Sequence, residues 1–159
     1  MSTPAERVIE TAKAKLSAHF SLAEFVVSES AARHGIDNTP PNPVIVNLHV
    51  LAHFLEGVRT LLKDAPLLIT SGYRCAALNK LIKGAKKSQH MDGRAADFIA
   101  PRFGDPLAVC RAIAGSELLF DQLIYEFGWV HISFVPPPAV SRHAVLTFRG
   151  DAYLTGIVP

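Results

Sequence analysis

The clearest hydrophobic pattern in the chain lies between residues 44 and 62, where apolar side chains recur at alternating steps of four and three residues. This spacing predicts a helix that buries one face. The preceding stretch "NTPPNP", residues 38–43, contains three prolines and predicts a loop. The apolar positions of the predicted helix are Val44, Leu48, Leu51, Leu55, Val58 and Leu62.

Two further helices are predicted nearer the N-terminus. The cap-like sequence "STPAE", residues 2–6, predicts the start of a surface helix that continues to about Ala18. The stretch "HFSLAEF" predicts a short helical turn, with Ser21 as its cap and Glu24 completing a capping box.

Short apolar stretches after residue 66 predict strands, which alternate with two helices. The helices are "CAALNKLI" and "DPLAVCRAIAG", the second with Asp105 as cap, Pro106 in the first position and Gly115 at the end. The predicted strands are "LLIT", "AADFI", "FDQLIYE", "WVHISFV" and, last in the chain, "HAVLTFR". Because helices come first and strands cluster later, we expect an α+β fold, with helices packed on a mostly antiparallel sheet.

Composition limits the classes of protein that the chain can represent. With 159 residues and 49% hydrophobic residues, it is expected to form a single domain over residues 1–159. The net charge of +2 is spread along the chain, which argues against a nucleic-acid binder. The N-terminus lacks the pattern of a signal peptide, and polar residues interrupt the longest apolar stretch, so neither export by a signal peptide nor membrane insertion is expected.

The stretch "SQHMDGRAADF", residues 88–98, holds two candidate metal ligands, His90 and Asp97. His131 lies in another predicted strand. Two histidines and a carboxylate from neighbouring strands make a three-ligand site with a fourth position open, which is the form that catalytic zinc requires. Glu126, at the end of the strand before His131, is the candidate carboxylate that takes a proton from the attacking water.

The spacing of Glu126 and His131 requires a change of direction between them. The two residues are five apart, so on one unbroken strand they would face opposite sides. We therefore expect a turn or bulge at Phe127 and Gly128, and Gly128 permits either.

Structural interpretations of these residues stay open at this point. Glu126 could be a structural acid, and Arg74 could pair with Asp92 or Asp97 near the surface. Ser88 is expected to be a hydrogen-bond partner in or near the cleft rather than a nucleophile. Trp129 shares the face of His131 on a regular strand, where it either walls the cleft or packs. Ser88 and Trp129 are the candidate substrate-binding residues.

Three segments follow one another in the chain: "SGYRCAALNKLIKGAKKSQHMDGRAADF", "FDQLIYE" and "WVHIS". In this order they resemble the M15 zinc peptidases, the group of D-alanyl-D-alanine carboxypeptidases and phage endolysins, and in particular its branch in bacteriophages and prophages. The resemblance extends from about "HFSLAEF" to "WVHISF". It implies that His90, Asp97 and His131 are zinc ligands. It also implies that Arg74 holds the carboxylate of the substrate or polarises its scissile carbonyl.

The position of the catalytic base departs from the commonest family pattern. Many members carry an acid three residues before the last histidine, and here Gly128 occupies that position. The amino-terminal signalling domain of Hedgehog proteins, which resembles these peptidases, places its corresponding glutamate on the preceding strand. "IYE", ending in Glu126, fits that second arrangement.

The resemblance implies a zinc-dependent peptidase that cleaves peptidoglycan stem peptides or cross-links, as a DD-carboxypeptidase or an endopeptidase. Such a protein would bind Zn²⁺, act as a monomer, be made in the cytoplasm, and reach the bacterial cell wall after release or as part of a phage particle. The alternative is a non-catalytic, zinc-containing module that binds cell-wall peptide or a phage structural partner. The direction in which Glu126 points discriminates between the two.

Overall fold

The computed structural model describes residues 1, 3 and 13–159 of the chain. We number the described elements in chain order and note a short 3-10 helix at Gln89–Asp92. The helices are α1 (Leu22–Val26), α2 (Glu29–Arg33), α3 (Asn42–Leu61), α4 (Ala76–Leu81) and α5 (Pro106–Ala114). The strands are β1 (Leu68–Ser71), β2 (Ala95–Ile99), β3 (Gln122–Tyr125), β4 (Val130–Ser133), β5 (Ala144–Arg149) and β6 (Ala152–Thr155).

The helix predicted to run to Ala18 falls mostly on residues 2 and 4–12, which lie outside the described residues. Its predicted end is wrong, because residues 14–18 are not helical. Lys15 instead pairs with Ser21 in an isolated antiparallel bridge. The backbone N–H groups of Leu16 and Ser17 both donate to the carbonyl of Phe20, at 2.9 and 3.2 Å. A tight turn therefore leads into α1.

The capping box predicted for α1 is confirmed. The backbone N–H of Ser21 donates to the Glu24 carboxylate at 2.7 Å, which satisfies a donor that the first helical turn leaves free. Helix α2, which was not predicted, begins after Ser28, whose hydroxyl accepts the N–H of Ala31.

The long helix α3 confirms the strongest prediction from the sequence. It begins at Asn42, inside the predicted loop, because Pro43 stands in the first turn, where its missing N–H costs no helical bond. Length and mean hydropathy alone would allow α3 to cross a membrane. Its apolar face, however, packs in the core of the protein; Leu48, Leu51, Ala52, Leu55 and Val58 are fully buried.

The six strands form one mixed sheet in the order β1-β2-β4-β3-β5-β6. All neighbours are antiparallel except β3 and β5, which are parallel. The predicted α+β fold with a mostly antiparallel sheet is thus confirmed. The prediction that "HAVLTFR" is the last strand is wrong, since β6 follows β5 after a turn in which Gly150 has a φ of 70°.

The two faces of the sheet differ in what they bury. Helix α5 packs on β3 and β4, and the core face carries Phe98, Leu123, Val130 and Ile132. Because side chains alternate along a strand, Asp97 and His131 lie on the opposite face. That face carries the candidate site.

Candidate active site

Asp97 and His131 are direct neighbours across the pair of strands β2 and β4. Directly paired residues project to the same face of a sheet, so the carboxylate and the imidazole meet above β2 and β4. His90 joins them from the 3-10 helix that precedes β2. The structure therefore brings together the three residues that the sequence singled out.

The 3-10 helix that carries His90 is fixed at both ends. The hydroxyl of Ser88 caps its start by accepting the N–H of His90 at 3.3 Å. Gly93 ends it with a φ of 70°, and a Cβ atom there would lie 2.9 Å from Val44 Cγ1. Only glycine fits both the left-handed backbone and the close approach of α3. The chain can thereby turn from His90 directly into β2.

Three donor atoms form a tight triangle on this face. His90 Nε2 lies 3.2 Å from Asp97 Oδ1 and 3.2 Å from His131 Nδ1, and His131 Nδ1 lies 2.9 Å from Asp97 Oδ1. A tetrahedral metal ion with bonds of about 2.0–2.1 Å has ligand atoms roughly 3.3 Å apart. The triangle in the protein nearly matches that spacing, and all three side chains are buried.

Protonation favours a cation at this triangle. His90 Nδ1 lies 2.7 Å from the carbonyl of Gly72, which can only accept, so Nδ1 carries the proton of the neutral ring. Burial lowers the pKa of His90, against the opposing effect of Asp97. In the neutral ring, His90 Nε2 presents a lone pair to the Asp97 carboxylate. These two acceptors repel each other unless a proton or a metal ion lies between them, and one metal ion can satisfy all three donor atoms, so the residues fit a metal.

Asp97 is ionised despite its burial. Burial alone would raise the pKa of its carboxyl group, but the interactions with His90 and His131 hold that pKa well below its usual range. Arg74 donates from Nη2 to the other oxygen, Oδ2, at 3.0 Å. The carboxylate therefore turns Oδ1 towards the imidazoles and Oδ2 towards the guanidinium.

Arg74 is itself held in place by several groups. Its Nε donates to the Ser71 hydroxyl at 3.0 Å, and its Nη1 is 3.5 Å from Asn79 Oδ1. The side chain is only 12% exposed. Of the two partners considered from sequence, Asp97 is the one that Arg74 contacts. Asp92 is exposed and stands apart from the triangle.

Glu126 lies on the same sheet face as His131. The register pairs Ile124 with His131, and Glu126 is two residues beyond Ile124, so all three share one face. The expected turn is present, but the positive φ of 59° belongs to Phe127 and not to Gly128. Burial raises the pKa of Glu126, as does the charge of Asp97, against the charges of His131 and Arg74. The Glu126 carboxyl group therefore lies within electrostatic range of Asp97, His131 and Arg74.

Four other residues considered as candidates lie outside the triangle: Asp121, Trp129, His49 and His53. Asp121 directly precedes β3, and its carboxylate accepts hydrogen bonds from Arg142 and from Gln89, so it has a structural role. Trp129 is 40% exposed and directly precedes β4, where strand alternation places it on the face of His131. His49 and His53, four apart on α3, face backbone carbonyls and do not belong to the triangle.

A cleft of about 480 Å³ opens at the free edge of β1, next to the site. Ser71 links the two, because it lines the cleft, pairs with Asp97 across β1 and β2, and accepts from Arg74. Sequence reasoning missed Ser71, Gly72 and Asn79. The motif "SGYR" contains two of these, but a carbonyl or hydroxyl contact leaves no spacing pattern that could reveal it.

Comparison with known proteins agrees with this geometry. No curated protein matched the chain. A model of the Peptidase M15 family matches residues 18–133, a segment that contains every residue of the triangle, Arg74 and Glu126. The chain belongs to the peptidase M15 family.

Proposed function

We propose that this member of the M15 peptidase family is a zinc-dependent enzyme that hydrolyses peptide bonds in peptidoglycan stem peptides or their cross-links. The observation that carries the proposal is the position of Glu126 on the same sheet face as the triangle of His90, Asp97 and His131. A proton acceptor and a metal-binding triangle on one face are the two parts that hydrolysis of an amide requires.

The donor atoms support zinc as the ion. Two imidazole nitrogens and one carboxylate oxygen are common zinc donors, and three protein ligands leave the fourth position that catalytic sites keep open. His90, Asp97 and His131 would hold the ion. When bound, zinc supplies Lewis-acid activation of a carbonyl oxygen and of water.

Glu126 would accept the proton of the attacking water and pass it to the leaving amine. Its raised pKa supports this role, because a base is most effective when its pKa lies close to the working pH. The same position favours hydrolysis over the non-catalytic binding module.

Arg74 would orient the metal ligand Asp97 through its bond to Oδ2. The outer partners of metal ligands fix their direction in this way in other proteins. A direct contact of Arg74 with the carboxylate or the scissile carbonyl of the substrate stays a prediction. So do the predicted substrate contacts of Ser88 and Trp129.

The choice of peptidoglycan rests on the resemblance of the sequence motifs to the phage and prophage branch. We propose that the protein acts as a monomer on the bacterial cell wall, after release or as part of a phage particle. DD-carboxypeptidase and endopeptidase activity both fit this proposal. Neither nucleic-acid binding nor membrane insertion forms part of it.

Digestion of purified peptidoglycan tests the proposal. Wild-type protein, Glu126→Gln and the control Asp92→Asn are supplied with zinc, and the released fragments are identified by mass spectrometry. We expect Glu126→Gln to retain stoichiometric zinc and to lose about 10²- to 10⁴-fold in rate, because the amide cannot accept a proton. The control, which changes an exposed acid, should cleave like the wild type.

Three results would contradict parts of this assignment. If the protein binds no zinc after zinc is supplied, the proposed metal site is wrong. Stoichiometric zinc without any cleavage would favour the binding module. An active Glu126→Gln together with an inactive Asp92→Asn would transfer the role of the base to Asp92.

A further inference from the structure

Strands β5 and β6 extend the site face of the sheet beyond residues 18–133, the segment that matches the family. The register places Ile124, Leu146 and Thr155 in one row that continues the row of His131. A second row lies on the same face, two residues away from the first on each strand. It contains Glu126, Phe148 and Tyr153. Tyr153 is thus aligned with the proposed base, although the two are far apart in sequence.

This second row is rich in aromatic side chains that solvent can reach. Phe148 and Tyr153 are directly paired across β5 and β6, and their ring centroids lie 4.8 Å apart. Tyr153 is 57% exposed. On the other side of Glu126 lies Trp129, whose carbonyl accepts the N–H of Glu126 at 3.2 Å. Aromatic side chains therefore flank Glu126 on both sides.

The electrostatic environment of Tyr153 connects it to the site. Burial raises the pKa of its hydroxyl group, and the charges of Glu126 and Asp97 raise it further. The hydroxyl group therefore lies within the field of both carboxylates. It stays protonated through the neutral pH range and remains a hydrogen-bond donor.

We propose that Trp129, Phe148 and Tyr153 form a substrate subsite beside the metal centre, in which the Tyr153 hydroxyl donates a hydrogen bond to a neutral peptide carbonyl of the substrate. The assignment rests on the proposed peptidase function. A carbonyl suits this position better than a substrate carboxylate, because Glu126 and Asp97 already place negative charge there. The aromatic rings on either side provide apolar contact for the peptide.

The change Tyr153→Phe tests the hydroxyl group and leaves the ring in place. A matched control is Thr155→Val, which removes a hydroxyl from another exposed residue of the same strand and face. Kinetics on soluble stem peptides released from peptidoglycan give kcat/KM, kcat and KM. We expect kcat/KM of Tyr153→Phe to fall about 2- to 10-fold, the effect of one lost hydrogen bond, and Thr155→Val to match the wild type.

A binding measurement separates this inference from the peptidase proposal. A synthetic stem pentapeptide ending in D-Ala-D-Ala is titrated into zinc-loaded Glu126→Gln protein, with and without Tyr153→Phe. Weaker binding with the second change supports the subsite, even if the wild type cleaves nothing. Normal cleavage and binding by Tyr153→Phe would overturn the subsite alone. Loss of zinc or a lower melting temperature in Tyr153→Phe would show a structural role and would also overturn it. A wild-type protein that neither cleaves nor binds stem peptides would remove both proposals.

Discussion

At the scale of single residues, the two carboxylate oxygens of Asp97 contact different partners. Oδ1 faces both imidazoles, and Oδ2 accepts from Arg74. Arg74→Lys should weaken zinc retention by about 10- to 100-fold, because an ammonium group cannot contact Ser71 and Asp97 with the fixed geometry of the guanidinium. Competition with a chromophoric chelator measures this affinity.

The control for Arg74 is Arg111→Lys, an equivalent change at an exposed position of α5. It should hold zinc as the wild type does. Equal zinc affinity in Arg74→Lys would show that the contact with Asp97 does not orient the ligand, and the role in substrate binding would then be the better interpretation.

The sequence predicted which residues would meet at the site because their types and order were informative. It predicted a turn between Glu126 and His131, but it could not show that the two share a face, since this depends on the pairing of Ile124 with His131 across two strands. The partner of Arg74 was left open for the same reason. Phe127, and not Gly128, adopts the positive φ, which shows that the tight connection overrides the preference of a single residue.

At the scale of secondary-structure elements, Asp121 ties β3 to two other segments. Its carboxylate accepts from the backbone N–H and guanidinium of Arg142, before β5, and from Gln89 of the 3-10 helix. Asp121 is almost completely buried. Asp121→Asn should lower the free energy of unfolding by about 2 kcal/mol, because a charged acceptor is replaced by a neutral one.

The effect of Asp121→Asn should depend on pH in a defined direction. Hydrogen bonds from Arg142 lower the pKa of Asp121 in the folded protein, against the effect of its burial. Its stabilising contribution is therefore complete above the unfolded pKa, about 3.9, and is lost as the pH falls through the lower folded value. Melting curves at several pH values should show a gap between variant and wild type that narrows below about pH 4.

Asp151→Asn, in the exposed turn before β6, controls for the loss of one negative charge. It should melt like the wild type at each pH. A gap for Asp121→Asn that stays constant down to acid pH would exclude ionisation of Asp121 as its source.

Elements with strong local signals were predicted well, and short elements held by their neighbours were not. Helix α3 has a regular apolar face, and α5 has a cap, an initial proline and a final glycine. Helix α2 has five residues with little apolar periodicity. Strand β6 is mostly exposed, so its pairing with β5 defines it more than its own hydrophobic pattern does.

At the scale of the whole molecule, local patterns predicted the fold class but not the strand order. Parallel pairing of β3 and β5 joins segments separated by β4 and a long connection, and such pairs leave no local signature. The extended site face could therefore be recognised only in three dimensions.

The parallel pairing of β3 with β5 affects whether separate molecules associate. A chain that ends at Ser133 keeps the part that matches the family but loses β5. Strand β3 would then become an edge strand with free backbone N–H and carbonyl groups, and it has apolar residues on both faces. Such edges pair with other chains. We expect this shortened chain to associate into large species in size-exclusion chromatography, and we expect the full chain to elute as a monomer. Elution of the shortened chain as a folded monomer would contradict the expectation. We therefore expect the short edge at β6, only four residues long, to keep molecules apart as well as to complete the sheet.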